Sequence, residues 1–555
     1  MDIVSRKLIE KFHPKFLENW KSGVTVSLVA MPLSISLAVA SGTTPSVGII
    51  TAIWAGVVAS LFGGSHFNVV GPTGALSGLI AAYAIVHGVD SLPMLTITTG
   101  VLILFAYLIK FERYLFFIPT SVIHGFTLGV AGIIAFNQLN FMLGIDGLPK
   151  HEDFILNVYE TLKHITLFSP SSLLTFVVFL ALMFILKKIY PKLPGALLLS
   201  PLGIILGYFA ARGVVPLHLE TLQSVFGNIH FYLFKTPKLS FDTSVYLPAV
   251  AVALVAVLET MLSAKIADYM THTKHDERRE MFGLGIANVF SGFAGGIPAT
   301  AALARTSLNI KTGATNKLSA FIAAISLALI SFFLLSYFSF IPMAVIAAIL
   351  VFVSVQMIER EHFFKLYRFE RSGFWMSILV ALVTFFKDPV IGIMFGVGLS
   401  LFVFIEKISR GQFDIKLNIL GEGIVKTISG EHADTITDKA DILVYSFKGK
   451  LAYLNSHAHV KRFEQSLSMY SIVILRLRSV YIIDIDGAAA LDEIIAFIRS
   501  SGRRVCLTSL NPNVTSLLDK VSDEYRQLKN EGLIFVKSTD ALRYFGIDPN
   551  KENIL

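Results

Sequence analysis

Long apolar stretches separated by short charged loops run from Val24 to Ile405 and predict fourteen helical segments, seven in each half. The first half gives Val24–Ala40, Val47–Phe62, Pro72–Val86, Leu92–Ile109, Leu115–Phe136, Leu173–Leu186 and Pro194–Ala211. The second gives Pro248–Ile266, Gly283–Phe293, Pro298–Ile310, Leu318–Phe338, Ile341–Val355, Phe374–Phe386 and Val390–Ile405. Two of these start abruptly. In Val69–Ala75 and in Gly296–Ala302, extended-looking residues meet a proline, and small residues with threonine then open a helical pattern. A helix that begins in mid-membrane is tolerated only where its free backbone lines a cavity or packs inside protein. A pair of such breaks, one in each half, points to the binding site of a transporter.

Subtraction relates the halves. Pro298 minus Pro72 is 226, and the same offset carries Val26, Leu28, Val29 and Ala30 onto Val252, Leu254, Val255 and Ala256, then Ala38 onto Ala264 and Ala75 onto Ala301. One gap-free offset across a helix and the break beyond it predicts an internal repeat. Lys110 and Arg113, Lys187 and Lys188, Arg278 and Arg279, Lys365 and Arg368, and Lys407 and Arg410 fall in alternate loops. The positive-inside rule then puts both termini in the cytoplasm of a multi-pass protein of the cell inner (plasma) membrane. The repeats run over about 21–212 and 245–410, within a transport domain 21–410 that follows a charged cytoplasmic segment 1–20.

Beyond Gly411 the period changes. Strands at Ile442–Phe447, Ser471–Leu477, Arg504–Thr508 and Leu533–Lys537 alternate with helices at about Ser456–Ser468, Gly487–Ser500 and Asn513–Val521. That order predicts a small cytoplasmic α/β domain over 411–555. Composition agrees with the membrane reading: 54% of the 555 residues are hydrophobic and 15% charged, and mean hydropathy is +0.67. The net charge of +8 resides in loops rather than in a basic stripe with interleaved aromatics, so nucleic acid is not an expected partner. The single cysteine, Cys506, leaves no internal disulfide or cysteine-based metal site.

The chemistry available is that of an anion site. A helix N-terminus offers unpaired amides and about half a positive charge. Two of them meeting at the midplane would offer an anion roughly one unit of charge without a buried lysine. Thr73, Gly74, Thr300 and Ala301 are the foremost candidates, flanked by Pro72, Ala75, Pro298 and Ala302. Glu259 is the acidic residue in the heart of a predicted span, a candidate for a proton or sodium that travels with the substrate; Ser263, at i+4, shares its face. Arg305, about two turns into the second broken helix, could hold the substrate, balance Glu259 or snorkel. Lys265 reads as a snorkelling residue and His124 as a packed one, while His272 and His275 lack further ligands, so no metal site is expected. Gly283-x-Gly285-x-x-Asn288 fails the dinucleotide fingerprint and no phosphate-binding loop of the GxxxxGK[ST] type occurs; no cofactor and no enzyme chemistry are expected.

The segments AMPLSISLAVASG, VVGPTGALSG and IPTSVIHGFTLGVAG, then LETMLSAKIADYMTHTKHD and GGIPATAALARTSLNIKTGAT, resemble the sulfate permease (SulP) family of anion transporters, bacterial type. The tail resembles the STAS domain that ends most members. The resemblance implies two inverted seven-segment repeats split into core and gate domains, elevator-type movement and a homodimer. It places the anion between the half-helices at Thr73 and Thr300, with the first and eighth spans alongside; Ser34, after Pro32, is the candidate from the first span. It sets Glu259 where bacterial relatives carry an acidic residue linked to proton or sodium coupling, and matches Arg305 to a basic residue of the second half-helix. Where related domains carry a phosphorylatable residue before a glycine, this chain has Asp486, which reads as a helix N-terminus.

The expected function is therefore secondary active symport of a small anion of the sulfate, bicarbonate or dicarboxylate class. An anion exchanger, a nucleobase-type permease of the same fold, and a membrane-anchored regulator whose tail binds a cytoplasmic protein are the alternatives. Uptake that survives deletion of residues 411–555 would exclude the last.

Overall fold

The computed structural model describes residues 2–117, 119–149, 151, 154–190, 195–237, 243–387, 389–419, 423–429, 441–466 and 470–547. Pro194 and Ser468, the ends of two predicted segments, lie outside them. The chain forms two compact units, Met1–Ser400 and Leu401–Leu555.

A helix occupies each of the fourteen predicted positions. In the first half these are α1 (Asp2–Ala40), α2 (Pro45–Phe62), α3 (Gly74–His87), α4 (Leu92–Leu108), α5 (Thr120–Phe136), α6 (Pro170–Ile189) and α7 (Gly195–Ala211). The second half has α8 (Tyr246–Thr271), α9 (Glu277–Phe293), α10 (Leu303–Lys311), α11 (Leu318–Phe338), α12 (Met343–Met357), α13 (Arg371–Phe386) and α14 (Pro389–Ser409). Among the described residues, nine helical stretches are long and apolar enough to cross a membrane. Their outer faces stay apolar: Leu329, Phe332 and Phe333 of α11 are all well exposed, as a lipid-facing surface requires.

The helix starts follow local chemistry. Pro45 and Pro170 open α2 and α6 at a position where a missing N–H costs nothing. Asp276 caps α9 by accepting from the Arg279 amide at 2.9 Å, with Glu277 and Glu280 in the first turn. α2 and α9 cross where Gly63 meets Gly283, and a Cβ on Gly283 would lie 2.4 Å from the Gly63 nitrogen. Small residues at a crossing let backbones close up where lipid gives no hydrophobic drive.

Packing reveals the repeat. α1 packs on α11 as α8 packs on α4; α2 packs on α11 as α9 packs on α4; α1 packs on α10 as α8 packs on α3. α5 meets α13 as α12 meets α6. Each pair is the other with the halves exchanged, the signature of a pseudo-two-fold axis. At that axis lie two short strands, β1 (Val70–Gly71) and β2 (Thr300–Ala301), paired antiparallel with Val70 opposite Ala301 and Gly71 opposite Thr300. Extended backbone at this depth must find partners inside the protein, and each strand is the other's partner. The Ala302 amide adds a bond to the Val69 carbonyl at 3.2 Å.

The offset of 226 fails at the breaks. It relates α1 to α8 correctly, with Ala38 and Ala264 both fully buried, but β1 and β2 begin 230 residues apart. Pro72 therefore follows its strand and Pro298 precedes its own, and α10 opens at Leu303 rather than at Pro298. The extra residues lie before the second break, where α8 runs on to Thr271 although the offset from the end of α1 at Ala40 would stop it at Ile266.

The second unit holds a six-stranded sheet ordered β4-β3-β5-β6-β7-β8: β3 (Gln412–Ile419), β4 (Gly423–Ser429), β5 (Ile442–Leu451), β6 (Ile472–Ile483), β7 (Arg504–Thr508) and β8 (Ile534–Phe535). β5 to β8 run parallel, joined through α15 (Tyr453–Ser466), α16 (Ile485–Ser500), and α17 (Pro512–Val521) with α18 (Asp523–Asn530); α19 (Ser538–Tyr544) closes the chain. Sequence reading missed β3 and β4. The signal was present, since Phe413, Ile415 and Leu417 alternate with polar residues and all three are buried. Asp484 caps α16 through the Gly487 amide at 2.8 Å, so Asp486 stands in a helical first turn as expected.

In the core of this unit the Tyr445 hydroxyl meets His459 Nδ1 at 2.7 Å. Burial, reinforced by the Arg462 charge, pushes the His459 imidazole down to about 3 from 6.5. Unfolding lets it take up a proton that the folded state refuses. This contribution to stability is complete above about pH 6.5 and falls by up to about 1.4 kcal/mol per pH unit towards pH 3. Limited proteolysis of the tail between about pH 7.5 and 5 should therefore accelerate with acid in the wild type, and less so in His459→Gln.

Candidate functional site

Neither half-helix has a side-chain cap. Ala302, the residue before α10, has no polar atom to offer, and Thr73, the residue before α3, turns its hydroxyl elsewhere. It donates to Glu259 Oε2 at 2.9 Å. The first amides of both helices are thus left for whatever occupies the space in front of them. That space is a cavity of about 110 Å³. Thr73, Gly74 and Ala75 line it from α3, and Ala302, Leu303, Ala304 and Arg305 from the start of α10. Glu259 lines it from α8 and Leu33 and Leu37 from α1; α5, α12 and α14 close the far side through Phe126, Val353 and Ile393. Its wall is mostly apolar, with two carboxylates, Glu259 and Glu359, one guanidinium and two helix tips converging.

Arg305 is the third residue of α10 and is 2% exposed. Snorkelling is excluded, because its Nη2 donates to the Pro72 carbonyl within the protein. The expected position two turns into the helix is corrected to the first turn, since residues 298–302 are not helical. The two charges engage neighbouring residues of one segment, Arg305 the Pro72 carbonyl and Glu259 the Thr73 hydroxyl. Gly71 makes this geometry available: a Cβ there would sit 2.5 Å from Arg305 Nη1. Gly71→Ala is expected to displace the guanidinium and reduce anion transport at least about tenfold while the protein still folds; labelled-anion uptake with a size-exclusion profile checks it.

Several sequence candidates fall outside the cavity. Thr300 is fully buried, donating to the Ala256 carbonyl at 2.9 Å and meeting the Thr260 hydroxyl at 2.7 Å. The Ala301 amide donates to Thr260 Oγ1 at 3.1 Å. Pro298 lies between Ile297, whose amide Thr51 accepts at 2.8 Å, and Ala299, which Asn288 clamps through both its amide and its carbonyl. These residues hold the strand and do not face the cavity. Ser34 is buried while its neighbours Leu33 and Leu37 face the space. Ser263 donates to Asn68 Oδ1 and meets the Thr306 hydroxyl, both at 3.0 Å, away from the cavity. Asn68 in turn donates to Glu280 Oε1 at 2.6 Å, and Glu280 Oε2 accepts from the Gly64 and Ser65 amides. This chain ties the approach to β1 to α8, α9 and α10, fixing both half-helices as one body.

Sequence reasoning missed Asn68, Glu280, Asn288 and Glu359. Glu280 and Glu359 sit at helix ends amid other charges and read as loop residues, and Asn288 entered only as part of a failed fingerprint. A polar residue two places before a mid-membrane break was the available signal for Asn68.

Comparison with known proteins identifies the family and the fold. The profile of the STAS domain matches residues 435–522. "Putative sulfate transporter YvdB" of Bacillus subtilis (strain 168) is 30% identical over 518 residues, covering 91% of this chain and 94% of the relative. The bicarbonate transporter BicA of Picosynechococcus sp. is 26% identical over 409 residues, 70% of each chain. Among solved structures, SLC26A9 aligns with a TM-score of 0.78 at 14% identity over 96% of this chain and 90% of its own. The transmembrane domain of a cyanobacterial BicA aligns at 0.58 and 22% identity, over 68% and 97%. With the sulfate permease family profile matching residues 16–403, this chain belongs to the sulfate permease family.

Proposed function

We propose that this protein is a secondary active transporter of small anions of the sulfate, bicarbonate or dicarboxylate class, with the anion held in front of the paired N-termini of α3 and α10. The observation that carries this reading is the convergence of two uncapped helix tips and buried Arg305 on one enclosed space. Backbone amides and one guanidinium bind an oxyanion or halide without demanding one shape. The relatives named for sulfate and for bicarbonate support the substrate class.

Glu259 supplies the coupling site. A carboxylate beside a bound anion is unfavourable in a dry cavity, so a proton or sodium on Glu259 and an anion in front of Arg305 favour each other's binding. The cavity lies between the body formed by α1 to α4 with α8 to α11 and the set α5, α12 and α14. Sliding of the first, cross-tied by Asn68, Glu280 and Thr306, against the second is an elevator-type route for alternating access. The reading carries with it an inner-membrane location with both termini cytoplasmic, and a homodimeric assembly. Uptake of labelled sulfate, bicarbonate and succinate into proteoliposomes, with pH and sodium gradients varied separately, tests it. Accumulation of at least one anion driven by one of the gradients is expected, and gradient-independent leakage of all three would refute it.

A further inference from the structure

Glu359 lines two spaces. It borders the anion cavity and also a wider vestibule of about 700 Å³, whose walls carry Lys187, Lys188, Arg360, Glu361 and His362. The vestibule attracts anions through three fixed cations, yet the group shared with the cavity is a carboxylate. An anion travelling between the two spaces must pass a like charge. Beside that carboxylate lies a histidine pair. His124 of α5 places Nδ1 3.7 Å from Glu359 Oε2, and its ring faces that of His362, on the short helix Arg360–Phe369, with centroids 3.7 Å apart at 31°. His362 Nε2 is buried with no hydrogen-bond partner among the described residues.

Two imidazolium rings at that separation would repel strongly, so the pair holds one proton at a time. With that proton on His124 the Glu359 charge is neutralised; without it the carboxylate faces the anion path uncompensated. Other charged groups surround the pair. They are Lys187 and Lys188 from α6, Lys311 from the end of α10, Arg360, Glu361 and Lys365 from the short helix, Glu370 facing His362, and Glu259 and Arg305 across the cavity. α12 contributes only Gln356 to this vestibule's polar lining.

We propose that Glu359, His124 and His362 form a proton-responsive charge filter at the mouth of the anion cavity, through which anions pass faster when the histidine pair is protonated. The inference rests on the cavity being the anion path. It is separate from coupling at Glu259, because it concerns the rate of passage and needs no gradient.

The test is equilibrium exchange of labelled sulfate and of labelled chloride in proteoliposomes with equal pH on both sides. Both probes keep their charge over the range used. Wild-type exchange should be roughly three- to tenfold faster at about pH 4.5 than at about pH 7.5. Glu359→Gln should remain near the fast rate at both, and His124→Gln near the slow rate at both. Opposite signs distinguish the filter from simple loss of folding, which would slow the two variants alike. A Glu359→Gln profile as steep as wild type, or slow exchange in both variants, overturns the proposal. Arg305→Gln separates this from the parent reading. Exchange unaffected by Arg305→Gln together with a flattened Glu359→Gln profile removes Arg305 from the anion's binding site and leaves the filter standing on the path. Exchange lost in Arg305→Gln together with an unchanged Glu359→Gln slope refutes the filter alone.

Discussion

Arg305→Ala is expected to abolish measurable anion uptake. The guanidinium is buried at the tip of α10, faces the cavity and donates to the Pro72 carbonyl. Removing it withdraws the one full positive charge from the cavity wall among the described residues and leaves the helix tips, worth about half a charge each, to hold an anion beside Glu259. Truncating a buried, hydrogen-bonded charge that faces a ligand costs about 2–5 kcal/mol, or roughly 30- to several-thousand-fold in affinity. Arg305→Lys retains the charge but not the planar fork, and an intermediate loss is expected. The measurement is labelled sulfate and bicarbonate uptake into proteoliposomes, with anion binding followed in detergent by thermal shift. Uptake of Arg305→Ala within about twofold of wild type would remove Arg305 from the site, since the estimated loss is far larger.

Glu259→Gln is expected to split binding from coupling. Glutamine retains an oxygen to accept from the Thr73 hydroxyl, so the local geometry persists. It cannot take up a proton or contribute a charge to a sodium ion, and it mimics the protonated carboxyl. A like charge about 5 Å from a bound anion costs about 3 kcal/mol at an effective dielectric of about 20. Removing that charge should leave anion affinity equal or higher, while stimulation by the coupling gradient falls from severalfold to none. Separate pH and sodium gradients reveal which ion the carboxylate serves, because only one will have driven the wild type. Persistence of gradient stimulation in Glu259→Gln would assign coupling elsewhere. Ser263, placed in the Asn68–Thr306 network, should behave differently: Ser263→Ala weakens the tie between α8 and α10 by about 1 kcal/mol and lowers thermal stability more than coupling.

The division between what sequence and tertiary structure contribute follows from the range of the forces involved. Hydrophobic length, charge alternation between loops and the paired breaks were enough to place a helix at all fourteen positions and an α/β unit after them, because lipid demands long apolar segments and leaves local pattern little freedom. The same logic singled out Thr73, Gly74, Glu259 and Arg305, each a polar or backbone-exposing residue at a depth where such groups are costly. Register was beyond it. A single offset through Pro72 and Pro298 put the second helix start at Pro298, whereas the pairing of β1 with β2 consumes Thr300 and Ala301 as strand and defers the helix to Leu303. Only the folded chain decided this, because strand pairing is a contact between residues more than two hundred positions apart, and nothing in either segment alone states its partner. For the same reason Glu359 and His124 remained unconnected in the sequence. Their 3.7 Å approach is set by how α5 packs against α12 and the short helix after it, a matter of side-chain fit across elements rather than of any pattern along one of them.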